Sequence, residues 1–279
     1  MMELGRYHTL EIDHEASPGL FLKNEEGEEI LLPNKYIPEE YEMGQKLDVF
    51  VYLDHSERPV ATTLKPAVQL DEFGYLRCAE TNEIGAFLDW GLEKHLFVPY
   101  KEQAFPIKEG SWHLIFCYLD EVTDRLVASS KTHAFLDNEE LTVEPFEEVD
   151  LIVTSKTDLG FHVIVNELHL GLIYHDEIFQ PLKTGDKTKG WITKIREDNK
   201  IDITLQRPGY RSIEPNADAV MEKLQSKDGF LPLHDKSKPE EIEKMLKMSK
   251  KSFKRAIGTL YKNRMIEIEN DEGVYLREK

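Results

Sequence analysis

Residues 85–103, GAFLDWGLEKHLFVPYKEQ, predict two short strands joined by a polar turn. A glycine, a small residue and an aromatic open the first strand, and Leu96–Pro99 forms the second. PGLFL at 18–22 and LGFHV at 159–163 keep register with IGAFL at 84–88, at offsets of 66 and 75 residues. The chain therefore contains three copies of one unit.

Each copy carries the same series of strand and turn signals. A second glycine keeps the same offsets, at Gly44, Gly110 and Gly185, and strands rich in aromatic and β-branched residues follow it. The total is five short strands in about 65 residues, which is typical of a small closed barrel of the OB type. The glycine of the second strand then has a structural cause, because a sharply coiled strand needs a residue without a side chain at its bend.

The last part of the chain departs from the repeat. Apolar residues at helical spacing predict a first helix ending at Gly229, and a capping box at Ser237–Glu240 predicts a second helix. Ser249 caps a third, and Ile266 opens a hairpin that turns at NDEG. Three helices and a hairpin make a winged helix, whose third helix is the usual reader of nucleic acid.

Charge is spread unevenly over the 279 residues, whose net charge is −18. Residues 1–65 carry 6 basic and 14 acidic residues, and residues 66–135 carry 6 and 11. The window 244–264 instead holds eight basic residues and no carboxylate. Such a cluster on an acidic protein is an electrostatic footprint for nucleic acid, with a solvated helix face as the alternative.

Composition and motifs exclude several classes of protein. Two cysteines, Cys78 and Cys117, are too few for a disulfide framework or a zinc site. The chain shows no signal peptide and no apolar run of membrane length, so we expect a cytoplasmic protein without a membrane partner. Phosphate-loop, HExxH, CxxC and GxSxG motifs are missing. We therefore expect no catalytic residue, no metal, no cofactor and no small-molecule substrate, and hence no enzyme.

The strand and turn series of each copy resembles the S1-type RNA-binding barrel, with GAFLDWG its clearest match and PGLFL its loosest. Three copies followed by this tail are similar to the conserved virulence factor B family of bacterial RNA-binding proteins. The resemblance implies a mostly β, multidomain fold: three tandem five-stranded S1-like OB barrels and then an α+β winged-helix domain. We place the barrels at 1–65, 66–135 and 136–211, the last beginning with an acidic linker, and the winged helix at 212–279.

The resemblance also implies where RNA would bind. In the S1 family, an aromatic residue of strand two, a residue of strand three and polar or basic residues of the last turn share one face. Copy by copy, they fall on Phe21, Pro33, Asp54 and Arg58; on Phe87, Pro99, Asp120 and Arg125; and on His162, Tyr174, Arg196 and Lys200. Proline offers little surface for stacking, so the first two copies keep half of the platform and are expected to be partly structural.

The third copy and the winged helix are the predicted RNA-contacting half. Between Lys183 and Arg211 the chain carries eight basic and four acidic residues. On a helical wheel the basic residues of helix three point away from the apolar Phe253, with one on the flank; they are Lys251, Arg255, Lys262 and, on the flank, Lys254. Trp90, in a loop signal, is expected to be exposed and completes the candidate set.

Two functions remain open. One is an RNA-binding protein, a post-transcriptional regulator that grips single-stranded RNA through the third barrel and the basic winged helix, where duplex nucleic acid is a further possibility. The other is a protein-interaction adaptor whose acidic barrels bind a protein and whose winged helix binds DNA. A steep loss of affinity with salt and a preference for single strands favour the first.

Overall fold

The computed structural model describes residues 2–178, 180–206, 215–227, 229–262, 265–269 and 272–277, without the side chains of residues 215 and 218. It contains three closed five-stranded barrels, followed by three helices and a three-stranded sheet. The fold class predicted from the sequence is confirmed, because the protein is mostly β, multidomain and ends in a small winged-helix region.

The three barrels share one topology. Barrel 1 comprises β1 (Tyr7–Ala16), β2 (Gly19–Lys23), β3 (Glu29–Pro33), β4 (Lys46–Leu53) and β5 (Pro59–Thr62). Barrel 2 comprises β6 (Phe73–Thr81), β7 (Gly85–Asp89), β8 (Leu96–Pro99), β9 (Trp112–Asp120) and β10 (Arg125–Ser129). Barrel 3 comprises β11 (Glu148–Lys156), β12 (Gly160–Val165), β13 (His169–Tyr174), β14 (Lys187–Ile195) and β15 (Ile201–Thr204). In each, the third and fifth strands pair in parallel, and the fourth strand closes the sheet on the first.

Alternation along the second strand separates the core from an outward face. In β2, Leu20 and Leu22 are buried while Phe21 between them is partly exposed. Phe87 in β7 and His162 in β12 hold the same partly exposed position. The period-2 geometry of a strand therefore places the three predicted residues on the outside of their barrels.

The bend glycine is required by a close approach of two strands. At the start of β12, a Cβ on Gly160 would lie 1.8 Å from the carbonyl oxygen of Ile173 in β13. The corresponding distances at the other two bends are 2.0 Å between Gly19 and Leu32 and 2.3 Å between Gly85 and Val98. The sequence expectation that only a residue without a side chain fits here agrees with the structure.

Barrels 1 and 2 share one hydrophobic cluster. Phe50, Tyr52 and Val60 of barrel 1 are buried together with Trp90 and Leu92, which follow β7 in barrel 2. The Trp90 residue is 3% exposed, its ring meets Phe50 edge-on at 5.8 Å, and its Nε1 donates to the Lys94 carbonyl at 2.7 Å. The prediction that Trp90 is exposed is therefore wrong, because a neighbouring barrel covers the loop that carries it.

Barrels 2 and 3 meet through a smaller cluster. Phe73 and Leu114 of barrel 2 pack with Ile152 and Ile164 of barrel 3. Phe135, in the segment between the two barrels, stacks on Phe116 with ring centroids 4.3 Å apart. Apolar side chains therefore join consecutive barrels at both junctions.

The winged-helix region has its own core. Its elements are α1 (Pro215–Gln225), β16 (Phe230–Leu231), α2 (Pro239–Leu246), α3 (Lys250–Lys262), β17 (Ile266–Glu269) and β18 (Gly273–Leu276). Val220, Ile242 and Phe253, one from each helix, are fully buried in it. None of the helices in the described part of the chain is long and apolar enough to cross a membrane.

The caps of α2 and α3 differ in how well the sequence predicted them. Ser249 accepts the amide of Ser252 at 3.1 Å and caps α3 as expected. Helix α2 begins one residue later than predicted, with Lys238 as its N-cap, whose amide donates to the Glu241 carboxylate at 3.2 Å. This is half of a capping box, because a lysine side chain cannot accept a hydrogen bond. The Ser237 hydroxyl instead accepts the amide of His234 at 3.0 Å. This start places Pro239 at the first helical position, which proline favours.

Candidate nucleic-acid interface

A cleft of about 560 Å³ opens on the outer face of barrel 3. Leu172 of β13 and Ile201 of β15 are among its apolar walls. Its polar walls include the four residues that the sequence assigned to the third copy, which are His162, Tyr174, Arg196 and Lys200. The fold therefore gathers this predicted set in one place.

Arg196 is held in a fixed orientation at the hydroxyl end of the Tyr174 ring. Its Nε and Nη2 donate to the two carboxylate oxygens of Asp202 at 3.0 and 2.9 Å, and Nη2 also donates to the Tyr174 hydroxyl. The guanidinium carbon lies 5.8 Å from the centre of the Tyr174 ring, on the side of its hydroxyl. The carboxylate thus orients the cation beside a ring that can stack.

The second cation of the cleft is also paired. Lys200 Nζ lies 2.7 Å from the Asp198 carboxylate, and the lysine side chain is 69% exposed. The sequence predicts two cations in the third copy, and in the structure Asp202 and Asp198 pair with them. The cleft therefore offers rings and oriented hydrogen-bond donors with little net charge.

His162 has a neighbour that sequence reasoning missed. The His133 ring, from the segment between barrels 2 and 3, lies 5.8 Å from the His162 ring in an edge-on contact. Asn138 of the same segment bonds to the Leu170 backbone at 2.7 and 2.9 Å, which fixes the segment along β13. Burial, followed by the charge of His133, lowers the pKa of His162 below its usual value. No periodic signal in the linker sequence marks His133 as part of the cleft.

Barrels 1 and 2 carry more ring surface than the sequence suggested. Phe97 in β8 lies directly opposite Phe87, with ring centroids 5.0 Å apart. In barrel 1, His14 stacks on Phe21 at 4.8 Å with planes 8° apart. Phe97 and His14 therefore add ring surface that the expectation of half a platform did not include, while Pro33, Pro99 and Tyr174 each pair with a bend glycine.

The cations of the first two barrels are used elsewhere. Arg58 bonds back to Asp54 of its own turn, at 2.8 and 3.1 Å. Arg125 of barrel 2 lies 2.9 Å from Glu57 of barrel 1, which also binds Lys94 at 3.0 Å. A cleft of about 450 Å³ over Phe87 is accordingly bounded by both barrels, and its carboxylates are Glu57, Glu80 and Glu93.

Helix α3 presents the predicted basic face. Its basic residues Lys251, Lys254, Arg255 and Lys262 are all exposed, while Phe253, Ala256, Ile257 and Leu260 are buried. Two features were not predicted. Tyr261, 58% exposed, stands among the cations, and Asp235 lies 4.0 Å from Lys254 although it is 19 residues away in sequence. The carboxylate-free window in sequence is therefore not entirely free of carboxylates in space.

Two family models match the chain at its ends. Residues 218–276 match the CvfB-like winged helix domain, and residues 4–64 match the S1 domain. The S1 model thus matches the first barrel, whose segment PGLFL is the loosest match by motif. Both are nucleic-acid-binding types of domain rather than enzymatic families, so the domain content indicates nucleic-acid binding.

Similar proteins share nearly the whole length of the chain. An uncharacterized protein, YitL, of Bacillus subtilis is 29% identical, covering 96% of this chain and 92% of that protein. Conserved virulence factor B of Staphylococcus epidermidis and of Staphylococcus aureus are each 24% identical, covering 95% of this chain and 92% of theirs. A Streptococcus pneumoniae crystal structure, described as a multidomain protein with nucleic acid binding domains, is 24% identical with a TM-score of 0.45 and 98% coverage of both chains. The family models and the relatives confirm the resemblance to conserved virulence factor B.

Proposed function

From this similarity to conserved virulence factor B proteins, and from the cleft of barrel 3, we propose that the protein binds single-stranded RNA. It acts in the cytoplasm as a post-transcriptional regulator, and it holds RNA rather than transforming it. Barrel 3 takes unpaired bases and α3 takes the phosphate backbone.

One observation carries the proposal for barrel 3. The Tyr174 ring, whose hydroxyl accepts from Arg196, lines the same cleft as the partly exposed His162. Base stacking on an aromatic ring contributes about 1–3 kcal/mol per base and requires a base that is not already stacked in a duplex. The oriented Arg196 donors suit base edges or phosphate oxygens next to the stacked base.

The basic face of α3 supports the second half of the proposal. Lys251, Arg255 and Lys262 are exposed on one side of a helix whose other side is buried. Cations that neutralise phosphates release counterions, so they contribute affinity that falls as salt rises. The exposed Tyr261 adds a ring beside these cations.

A binding assay with homopolymer RNAs and duplex DNA, each at two salt concentrations, tests this function on the full chain. Tighter binding of a single-stranded RNA than of the duplex, weakened by salt, is expected. Preference for duplex DNA, or no binding of RNA at low salt, contradicts the proposal and supports the adaptor with a DNA-binding winged helix.

A further inference from the structure

An exposed aromatic stack lies on barrel 2, away from the face on β7 and β8. Tyr75 of β6 and Trp112 of β9 have ring centroids 5.5 Å apart with planes 26° apart, and these residues are 36% and 54% exposed. Arg77 is exposed, two residues after Tyr75 and directly opposite Trp112 across the sheet, so all three side chains share one face. We name Tyr75, Arg77 and Trp112 the aromatic ledge.

The fold does not require rings at these positions. The pair Arg77 and Trp112 corresponds to Glu11 and Lys46 in barrel 1, and to Ile152 and Lys187 in barrel 3. Trp112 thus occupies an outward position that both other copies fill with lysine. The contact between barrels 2 and 3 is already made by Phe73, Leu114, Ile152 and Ile164, which are buried. More than half of the Trp112 surface serves no packing within the described chain.

Barrel 3 adds cations to the ledge. A Cβ on Gly185, whose φ is +90°, would lie 2.3 Å from the Tyr75 ring, so the backbone of the loop before β14 rests on that ring. Exposed Lys183 and Lys187 flank this glycine. Asp186 between them accepts the Lys183 amide at 2.7 Å, which commits one of its oxygens to the loop itself. The ledge therefore has two rings and Arg77 on barrel 2, and the loop that rests on Tyr75 adds two exposed lysines together with Asp186.

We propose that the aromatic ledge is a second binding site for the same single-stranded RNA, with bases on Trp112 and phosphates near Arg77 and the lysines of the loop before β14. Rings interleaved with cations are the surface that unpaired nucleic acid prefers. This inference rests on the proposed function. It extends the RNA contact onto barrel 2 by a face other than the cleft over Phe87.

The length of the RNA separates the ledge from the cleft of barrel 3. An oligouridylate of about 6 nucleotides fills about one site, whereas one of about 30 nucleotides can engage both sites at once. Trp112→Ala in the full chain is expected to weaken the long oligouridylate about tenfold and to leave the short one, held at barrel 3, almost unchanged. Trp112→Phe, which keeps a ring, is expected to retain most of the affinity. Phe105→Ala removes an 80% exposed aromatic of barrel 2 outside the stack and is the matched control.

Tryptophan fluorescence gives an independent readout. Trp112 is the most exposed of the three tryptophans, since Trp90 is buried and Trp191 is partly buried. The long oligouridylate is expected to quench the wild type more than Trp112→Phe. If Trp112→Ala and the wild type bind the long RNA with equal affinity, the proposal that the aromatic ledge binds RNA is overturned, while the proposed function at barrel 3 stands. The ledge would then be a surface for contact with a protein. If Trp112→Ala lowers the melting temperature and leaves the affinity unchanged, Trp112 serves packing and the RNA site on the ledge is overturned. If the wild type binds neither oligouridylate, the proposed function is overturned as well.

Discussion

Barrels 2 and 3 share a strand order, a bend glycine and an outward ring or imidazole on the second strand, yet their last turns differ. In barrel 2, Arg125 reaches away to Glu57 of barrel 1. In barrel 3, Lys200 holds the matching position and pairs with Asp198 of its own turn, while Arg196 bonds to Tyr174 and Asp202 of its own face. A cation of the last turn therefore binds across to the neighbouring barrel in barrel 2 and within its own barrel in barrel 3.

The same difference appears in the two clefts. The cleft over Phe87 is bounded partly by barrel 1, and its lining contains three carboxylates and two cations, Lys94 and Arg125. The cleft of barrel 3 balances two carboxylates against Arg196 and Lys200, and each of the two clefts also holds two histidines. A phosphate backbone is repelled less at barrel 3, which is the physical basis for assigning the RNA to it.

The bend glycine, which barrels 2 and 3 share, should give the largest effect on stability when it is substituted. Gly85→Ala and Gly160→Ala each force a Cβ against a carbonyl oxygen and should cost about 4 kcal/mol, whichever barrel is changed. Thermal and denaturant unfolding measure this. Gly258→Ala, in open space on α3, is the matched control and should stabilise by about 1 kcal/mol. A melting temperature unchanged by Gly160→Ala would show that the strands do not approach as described.

The second largest effect should be on RNA affinity, through the basic residues of α3. This helix contributes positive charge, whereas barrel 3 contributes aromatic rings. Replacing Lys251, Arg255 and Lys262 by Gln should reduce the slope of log affinity against log salt by up to about 2, or about 0.7 per lost contact. Affinity for every single-stranded RNA should fall alike, by up to about fiftyfold near 0.15 M salt. Stability should change by less than about 0.5 kcal/mol per site, because the residues are exposed. An unaltered slope would remove α3 from the RNA site.

Stacking tests the contrast between the barrels directly. Tyr174→Ala should weaken RNA binding about tenfold, since one stacked base contributes about 1–3 kcal/mol, and the salt slope should stay as in the wild type. Phe87→Ala, on the second strand of barrel 2 where barrel 3 has His162, should weaken it much less. Melting temperature measured on both variants separates stacking from packing. Equal losses of affinity in the two variants would contradict the assignment of the RNA to barrel 3 rather than barrel 2.

The smallest effect is a dependence of stability on pH. A lowered pKa of His162 means that the unfolded chain takes up this proton more readily than the folded chain. Its contribution to stability is complete above the unfolded pKa of about 6.5 and is lost as pH falls below it. His162→Phe, which gives barrel 3 the residue of barrel 2, should reduce the acid loss of melting temperature between about pH 7.5 and pH 5. His113, whose pKa burial also lowers, preserves part of the slope. An identical slope in wild type and variant would contradict the burial of His162.

Local signals account for what the sequence predicted well. Bend glycines, alternating strands and the Ser249 cap depend on residues close together in the chain, so the barrels and the winged helix could be recognised. The position of Phe97 could not be predicted in this way. The motif aligns strand three by its proline, whereas the register between the two strands places Phe97 opposite Phe87.

The remaining errors arise from contacts between distant segments. Trp90 is buried by barrel 1, His133 joins the cleft from a linker, and Asp235 approaches Lys254 from outside the basic window. The cap of α2 is a different case, since Ser237 and Lys238 each precede a glutamate at capping distance. Pro239 decides between them, and its preference for the first helical position is a signal that the sequence does contain.

The cluster shared by barrels 1 and 2 has a consequence for synthesis on the ribosome. Phe50, Tyr52 and Val60 complete their burial only when barrel 2 is present. The roughly 65 residues between the end of β5 and the end of β10 take about 3–13 s to translate at ordinary rates. During that interval the nascent first barrel exposes an apolar patch beside the exit tunnel, where a holdase chaperone can bind it. Slow codons that delay the emergence of barrel 2 would lengthen this exposure and lower the yield of folded protein.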